Sequence, residues 1–394
     1  MSSHRHRLFE IFWIYLRLGC LSFGGPVAHL AYFKGTFVTK RKWLTSAHFT
    51  ELLGLCQFVP GPTSSQLGFA IGWHRGGLSG ACAAWLGFTL PSAILMIAAA
   101  YGLFTLGAST DALIRGLLIA AVAVVANAAI GLTKSLCPDI PRRLLVIASA
   151  AAALIVPTSW IQLAVVIAGL GIGSLCFDRP AQREHSQELL IAVKPWAVYG
   201  CLAGYSALLG LAILANNGGT NVSIYAAHYQ AGALVFGGGH VVLPLLEQGL
   251  VPNIVSEANF LAGYSAAQAL PGPLFTLSAF LGTASESTEP LLLGGIGALI
   301  AIFLPGLLLL VVLLPTWHRL RTRAWAQAGL IGANAAVLGL LFAALFDPVI
   351  PHAIHSISDG LVAAVALLAL YRFKMPAWST VLMCGAFGLL QFKG

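Results

Sequence analysis

Charged side chains are scarce: they make up 9% of the 394 residues, against 58% hydrophobic. Soluble domains run near 25% charged, so composition excludes a soluble globular protein. The ten-residue alternating strands of a membrane β-barrel are absent as well. Apolar segments instead follow one another from Phe9 to Phe392, most of them near the roughly 20 residues that a helix needs to cross a bilayer. The fold class predicted is all-α, a polytopic membrane protein.

Paired cysteines are also missing. Cys20, Cys56, Cys82, Cys137, Cys176, Cys201 and Cys384 form no C-x-x-C, and nearly all lie in apolar runs, where free cysteine packs as a small hydrophobe. No H-E-x-x-H, G-x-S-x-G, Walker loop or cofactor fingerprint occurs. The sequence therefore predicts no enzyme, no cofactor, no metal and no direct ATP drive. The net charge of +8 is gathered in short loops, a cytoplasmic-loop pattern and not a nucleic-acid footprint. The basic start MSSHRHR resembles a signal peptide, but Glu10 and Arg17 interrupt the apolar run and no A-x-A-like site follows. It reads as a retained first helix.

What the chain does have is an internal repeat. Phe23-Gly24-Gly25 matches Phe236-Gly237-Gly238 at an offset of 213, and QFVPGP from Gln57 matches QALPGP from Gln268 at 211. Pro91 falls on Pro305 at 214, and Asn127 on Asn334 at 207. Four motifs in one order at near-constant spacing indicate a tandem duplication. The halves predicted are 1–176 and 225–394, with a polar linker and an extra transmembrane helix over 177–224.

Lysine and arginine set the orientation. If the Gly-Gly and Pro-Gly-Pro segments are hairpins that return to their starting side, every basic loop lies in the cytoplasm. The N-terminus is then inside and the C-terminus outside. If those segments are full spans, Lys34, Lys40, Arg41 and Lys42 fall outside and Glu247 and Glu257 inside. Charge bias favours the hairpins. In either case the crossing near Trp196 to Ala215 inverts the second half relative to the first.

Inverted repeats with discontinuous helices are a transporter architecture whose substrate sites lie near mid-membrane. A helix break in hydrocarbon must be buried or line a wet cavity. In Pro60-Gly61-Pro62 the second proline suits the first position of a new helix, leaving free N–H groups and a positive dipole end at the break. Thr63, Ser64 and Ser65 add hydroxyls. Pro271-Gly272-Pro273, with Thr276 behind it, repeats the arrangement from the other side. Ser22, Phe23, Gly24 and Gly25, and Phe236, Gly237, Gly238, Gly239 and His240, supply glycine turns that let backbone approach an anion. Gln57 and Gln268 precede the two Pro-Gly-Pro motifs. The plain alternative for Pro-Gly-Pro is a packing kink; its duplication behind a Gly-Gly break favours a binding site.

Ionisable residues divide less clearly. Glu51 is an intramembrane carboxylate, a candidate for coupling or a residue at headgroup level. Arg17 is a candidate for attracting an anion or a snorkelling side chain. His29 is a weaker candidate, and Asn127 and Asn334 suit interhelical hydrogen bonding.

The stretches LGCLSFGGPVAHLAYF, QFVPGPTSSQLGFAIGWHRGGLSGACAAWLGFTLPS, VFGGGHVVLPLL, QALPGPLFTLSAFLGT and GLIGANAAVLGLL together resemble the chromate ion transporter family in its long, two-domain form. The resemblance covers nearly the whole chain. It implies a bacterial cytoplasmic-membrane exporter of chromate with oppositely oriented halves. Sulfate, a tetrahedral dianion of similar size, is a second candidate cargo. The expected surroundings are the lipid bilayer, with a homodimer as a candidate assembly and no nucleic acid. An anion channel is the nearest alternative class.

Overall fold

Helices occupy the apolar segments, as the sequence predicts. The computed structural model describes residues 2–22, 25–105, 108–156, 161–177, 191, 193–215, 222–236, 242–285, 291–317 and 323–391, and no strand occurs among them. In the first half α1 (Ser2–Leu21) precedes a break, and α2 (Gly25–Phe33) runs on into π-type turns over Lys34–Lys40. Helix α3 (Ser46–Phe58) leads to Pro-Gly-Pro and α4 (Thr63–Thr105), itself broken into two arms at Gly76 and Gly77. Then come α5 (Ala108–Leu136), α6 (Ile140–Ile155) and α7 (Ile161–Cys176). After the linker, α8 (Pro195–Ala215) introduces α9 (Val222–Leu234), α10 (Val242–Leu250) and α11 (Glu257–Ala269). The second Pro-Gly-Pro is followed by a 3-10 turn (Leu274–Thr276), α12 (Leu277–Thr283) and α13 (Leu291–Leu313). The chain closes with α14 (Ala324–Ala344), π-type turns over Leu345–Val349, α15 (Ile350–Ala353), α16 (Ile357–Tyr371) and α17 (Ala377–Gln391). Among the described residues, five stretches are long and apolar enough to cross a membrane: Thr63–Gly102, Ala112–Lys134, Pro195–Ala215, Leu292–Leu313 and Ala324–Ala353. The chain is an all-α, multi-pass membrane protein.

Local chemistry repeats with the sequence. Helices α3 and α11 each have 13 residues. Each starts on a hydroxyl cap, Thr45 accepting the His48 N–H at 3.1 Å and Ser256 the Asn259 N–H at 3.3 Å. Such a cap supplies an acceptor to one of the orphan donors of a helix start, at about 1 kcal/mol. Each helix ends at a Pro-Gly-Pro turn whose glycine has positive φ, +127° at Gly61 and +101° at Gly272. A side chain is strained in that region, so glycine is required at both turns.

Ion pairs show how the broken segments run. Glu10 on α1 meets Arg41 at 2.6 Å and Arg75 at 3.9 Å. Both guanidinium groups lie over the Trp43 ring, at 5.9 and 5.1 Å. The chain thus leaves this end at Glu10, returns at Arg41, enters again through α3 and returns at Arg75. Arg41 and Arg75 both lie at the Glu10 end, which is the geometry of two returns and not of two full crossings. The second arm of α4 then crosses to the far end and α5 brings Lys134 back, where it meets the Tyr371 hydroxyl. Helix α16 runs away from Tyr371 toward His352, which pairs with Glu257 at 2.8 Å. Helix α11 therefore enters from the end opposite to α3.

The halves interlock through small residues. Helix α14 lies on α7, where a methyl group at Gly332 would collide with the Gly169 carbonyl. Helix α17 lies on α5, where one at Gly388 would strike Gly116 and the Ala112 carbonyl. Close backbone approach of this kind is how helices associate where apolar burial gives no preference over lipid. Helix α8 stands at the outside, with Trp196, Tyr199, Leu211 and Leu214 all exposed, as suits a lipid-facing crossing.

Candidate functional site

The helix breaks of the two halves meet. The Gly61 N–H donates to the Val235 carbonyl at 2.8 Å, and the Gly272 N–H donates to the Ser22 carbonyl at 3.1 Å. Gly61 and Gly272 are equivalent in the repeat, as are Ser22 and Val235. Each Pro-Gly-Pro turn thus satisfies the last carbonyl before the Gly-Gly break of the other half. A buried carbonyl left without a donor costs about 1–3 kcal/mol, so the bonds explain how the breaks are tolerated inside the membrane.

The turns are also wedged against equivalent residues. A methyl group at Gly61 would come within 2.7 Å of Gln66 Nε2 and 3.1 Å of Gly306 Cα. One at Gly272 would lie 2.7 Å from Ser92 Oγ. Gly306 and Ser92 follow Pro305 and Pro91, the intrahelical prolines of α13 and α4. Each turn is held between the break and the proline-bearing span of the opposite half.

Beyond this shared frame the two helix starts differ. The first turn of α4 carries Thr63, Ser64 and Ser65, whose N–H groups have no intrahelical acceptor. Ser64, Ser65 and Gln66 are buried. Gln66 Nε2 donates to the Pro60 carbonyl at 2.8 Å and the Gly306 carbonyl at 3.2 Å. Gln66 Oε1, Ser65 Oγ and Ser22 Oγ are buried without a hydrogen-bond partner among the described residues. His29, 1% exposed, places Nδ1 3.3 Å from Ser64 Oγ and Nε2 3.1 Å from the Ser22 carbonyl. At the second break the equivalent positions are Leu274, Phe275 and Thr276. Thr276 spends its hydroxyl on the Pro273 carbonyl at 2.8 Å. The 3-10 turn and the seven-residue α12 align fewer peptide dipoles than α4 does. Among the described residues, the polar end of the junction belongs to the first half.

Not every residue singled out in the sequence joins this cluster. Ser22, Pro60, Gly61, Pro62, Thr63, Ser64, Pro271, Gly272, Pro273 and Thr276 are brought together at the junction, with Gly25 opening α2 and Phe236 beside Val235. Phe23, Gly24, Gly237, Gly238, Gly239 and His240 lie outside the described residues. Gln57 is exposed on α3, and Gln268 is bonded to Tyr264 one turn back. Glu51 is buried within α3, away from its Pro-Gly-Pro end. Arg17 is exposed in line with Phe9, Trp13 and Leu21, while α1 turns Ile11, Tyr15 and Leu18 inward. Its setting is that of a snorkelling residue on a lipid-facing stripe. Gln66, Ser92 and Gly306 were not singled out. Gln66 falls on Leu277 in the second half and Ser92 on Gly306, so the repeat that exposed the other residues hides these.

The model of the chromate transporter family matches residues 9–174 and again 222–389, one match to each half. The chain belongs to the chromate transporter family. A chromate transport protein of Pseudomonas aeruginosa is 25% identical over 97% of this chain and 92% of its own length. One from Cupriavidus metallidurans is 26% identical over 95% of this chain and 90% of its own. An uncharacterised transporter of Methanocaldococcus jannaschii is 24% identical over 92% and 89%. No solved structure matches. For this family member, the duplicated match coincides with the duplicated Pro-Gly-Pro turns at Gly61 and Gly272.

Proposed function

We propose that the chain is a secondary active transporter that exports chromate across the bacterial cytoplasmic membrane. The basic end, with Arg41, Arg75 and Lys134, faces the cytoplasm, as basic loops do. That orientation puts the N-terminus inside and the C-terminus outside. Residues 1–176 and 225–394 act as the inverted repeats, joined through 177–224. The observation that carries the reading is the pair of cross-half bonds, Gly61 to Val235 and Gly272 to Ser22. They support a binding site where the breaks converge.

In this reading the dianion is held at the start of α4 by free N–H groups, the dipole end and the hydroxyls of Ser64 and Ser65. Gly25, at the start of α2, adds backbone from the facing break. Gln66 and the wedged glycines hold the backbone of the two turns in place. Moving one charge across 100 mV is worth about 2.3 kcal/mol. Export of a dianion from a negative interior is therefore driven by the membrane potential without ATP. Relatives named as transport proteins support transport and not catalysis.

Sulfate or another small anion is the second reading, favoured by the same donors, because dipoles and hydroxyls recognise charge and shape more than the central atom. Radiolabelled chromate uptake into everted vesicles, energised and de-energised, with sulfate as competitor, tests both. Energy-dependent accumulation supports active export. Flux only down the gradient indicates a channel, and transport of sulfate with chromate ignored overturns the cargo. Gly61→Leu and Gly272→Leu are expected to abolish uptake while the protein still inserts. Wild-type flux in both variants would sink the site.

A further inference from the structure

The two ring nitrogens of His29 face different chemistry. A backbone carbonyl only accepts, so Nε2, 3.1 Å from the Ser22 carbonyl, carries a proton in either charge state. The titrating atom is therefore Nδ1, and its neighbour is the Ser64 hydroxyl at 3.3 Å. While the ring is neutral, Nδ1 accepts, and the Ser64 hydrogen is committed to it. Once Nδ1 is protonated it donates to Ser64 Oγ, and the hydroxyl hydrogen turns away to another acceptor.

The surroundings concentrate this exchange at the junction. The Ser22 carbonyl that takes the Nε2–H also takes the Gly272 N–H, so His29 touches both the first-half break and, through one oxygen, the second Pro-Gly-Pro turn. Ser64 stands in the first turn of α4 beside Ser65, whose buried hydroxyl has no partner among the described residues. From the second arm of α4, the Phe88 ring closes the third side at 5.2 Å, edge to face. The titratable group of the same aromatic cluster is Tyr15 of α1. It packs on Phe33 and gives its hydroxyl hydrogen to the Gly68 carbonyl of α4. No charged side chain acts on His29 among the described residues. A positive ring here has no counterion among the described residues.

We propose that His29 is the protonation switch of the anion site: a proton gained at Nδ1 reverses the bond to Ser64 and frees the Ser64 hydroxyl to donate to an anion at the start of α4. The proton comes from water, no covalent bond changes, and the bound anion supplies the missing counterion. Proton and anion then strengthen each other's binding by the same factor. The position is asymmetric, since the equivalent residue of the second half is Val242. The inference rests on the reading of the junction as an anion site and adds the group that regulates it.

The test uses purified full-length protein and chromate. Binding is measured across mildly acidic to mildly alkaline buffer, and proton uptake on chromate addition is followed with an indicator dye at a pH where free chromate is the dianion. Wild-type affinity is expected to rise toward acid, by about tenfold per pH unit at most for one linked proton, with proton uptake on binding. His29→Gln keeps a donor and an acceptor but does not titrate. It is expected to bind weakly at every pH, with no proton uptake. Ser64→Ala is expected to flatten the slope, whereas His228→Gln, at the other histidine buried among the described residues, leaves it intact. Chromate binding by wild-type protein without proton uptake overturns the switch and leaves the transport reading standing, even where the variants fail to fold. A slope that survives in His29→Gln and disappears in Glu51→Gln or His228→Gln overturns it too. Absence of chromate binding at any pH removes both readings together.

Discussion

Gln66 shows what one side chain does at the junction. Its amide joins the Pro60 carbonyl of its own half to the Gly306 carbonyl of the other, and it is fully buried. Replacing it with leucine, the residue at the equivalent position 277, leaves two buried carbonyls without that donor. Gln66→Leu is expected to lower stability by about 1–3 kcal/mol, seen as a lower thermal midpoint in detergent, with weaker chromate binding. An unchanged midpoint would mean that other donors replace the amide. The prolines, glycines and hydroxyls of the site were legible because they recur or follow a helix break. Gln66 and the pairing of His29 with Ser64 were not, because the second half has Leu277, Val242 and Phe275 there. Duplication displays the shared frame and conceals what makes one half different.

At the scale of helices, hydropathy alone finds five long spans among the described residues, although the Pro-Gly-Pro turns follow helices of only 13 residues. Loop charge supplied what hydropathy did not. The lysine and arginine pattern favoured hairpins, and Glu10 joined to both Arg41 and Arg75 has the geometry of two returns to one end. The interlock of α14 with α7 was less legible, since Gly169 and Gly332 lie in ordinary apolar runs that carry no sign of their partner. A methyl at Gly332 would collide with the Gly169 carbonyl and crowd Gly173, and overpacking typically costs about 1–3 kcal/mol. Gly332→Val is expected to separate the two helices and lower the thermal midpoint of the purified protein. Wild-type stability would contradict the packing.

For the whole molecule, the two ends differ in charge. Glu10, Arg41, Arg75 and Lys134 mark one, and Glu257 with His352 the other. On a cysteine-free background, Lys134→Cys is expected to react with an impermeant maleimide from the cytoplasmic side and His352→Cys from the outside. Labelling of both from one side would rule out the topology. The fold class and the duplication were legible in composition and repeat. The contact of each Pro-Gly-Pro turn with the opposite half was not, since nothing in a linear motif names a partner some 170 or 250 residues away.

Those cross-half bonds also set an order of assembly. As the chain is synthesised, Gly61 enters the membrane long before Val235 exists to receive its N–H, and the Ser22 carbonyl waits longer still for Gly272. The nascent first half thus carries an open wound in its backbone until the last third of the protein arrives. Its two breaks are expected to close only once the second half is in place.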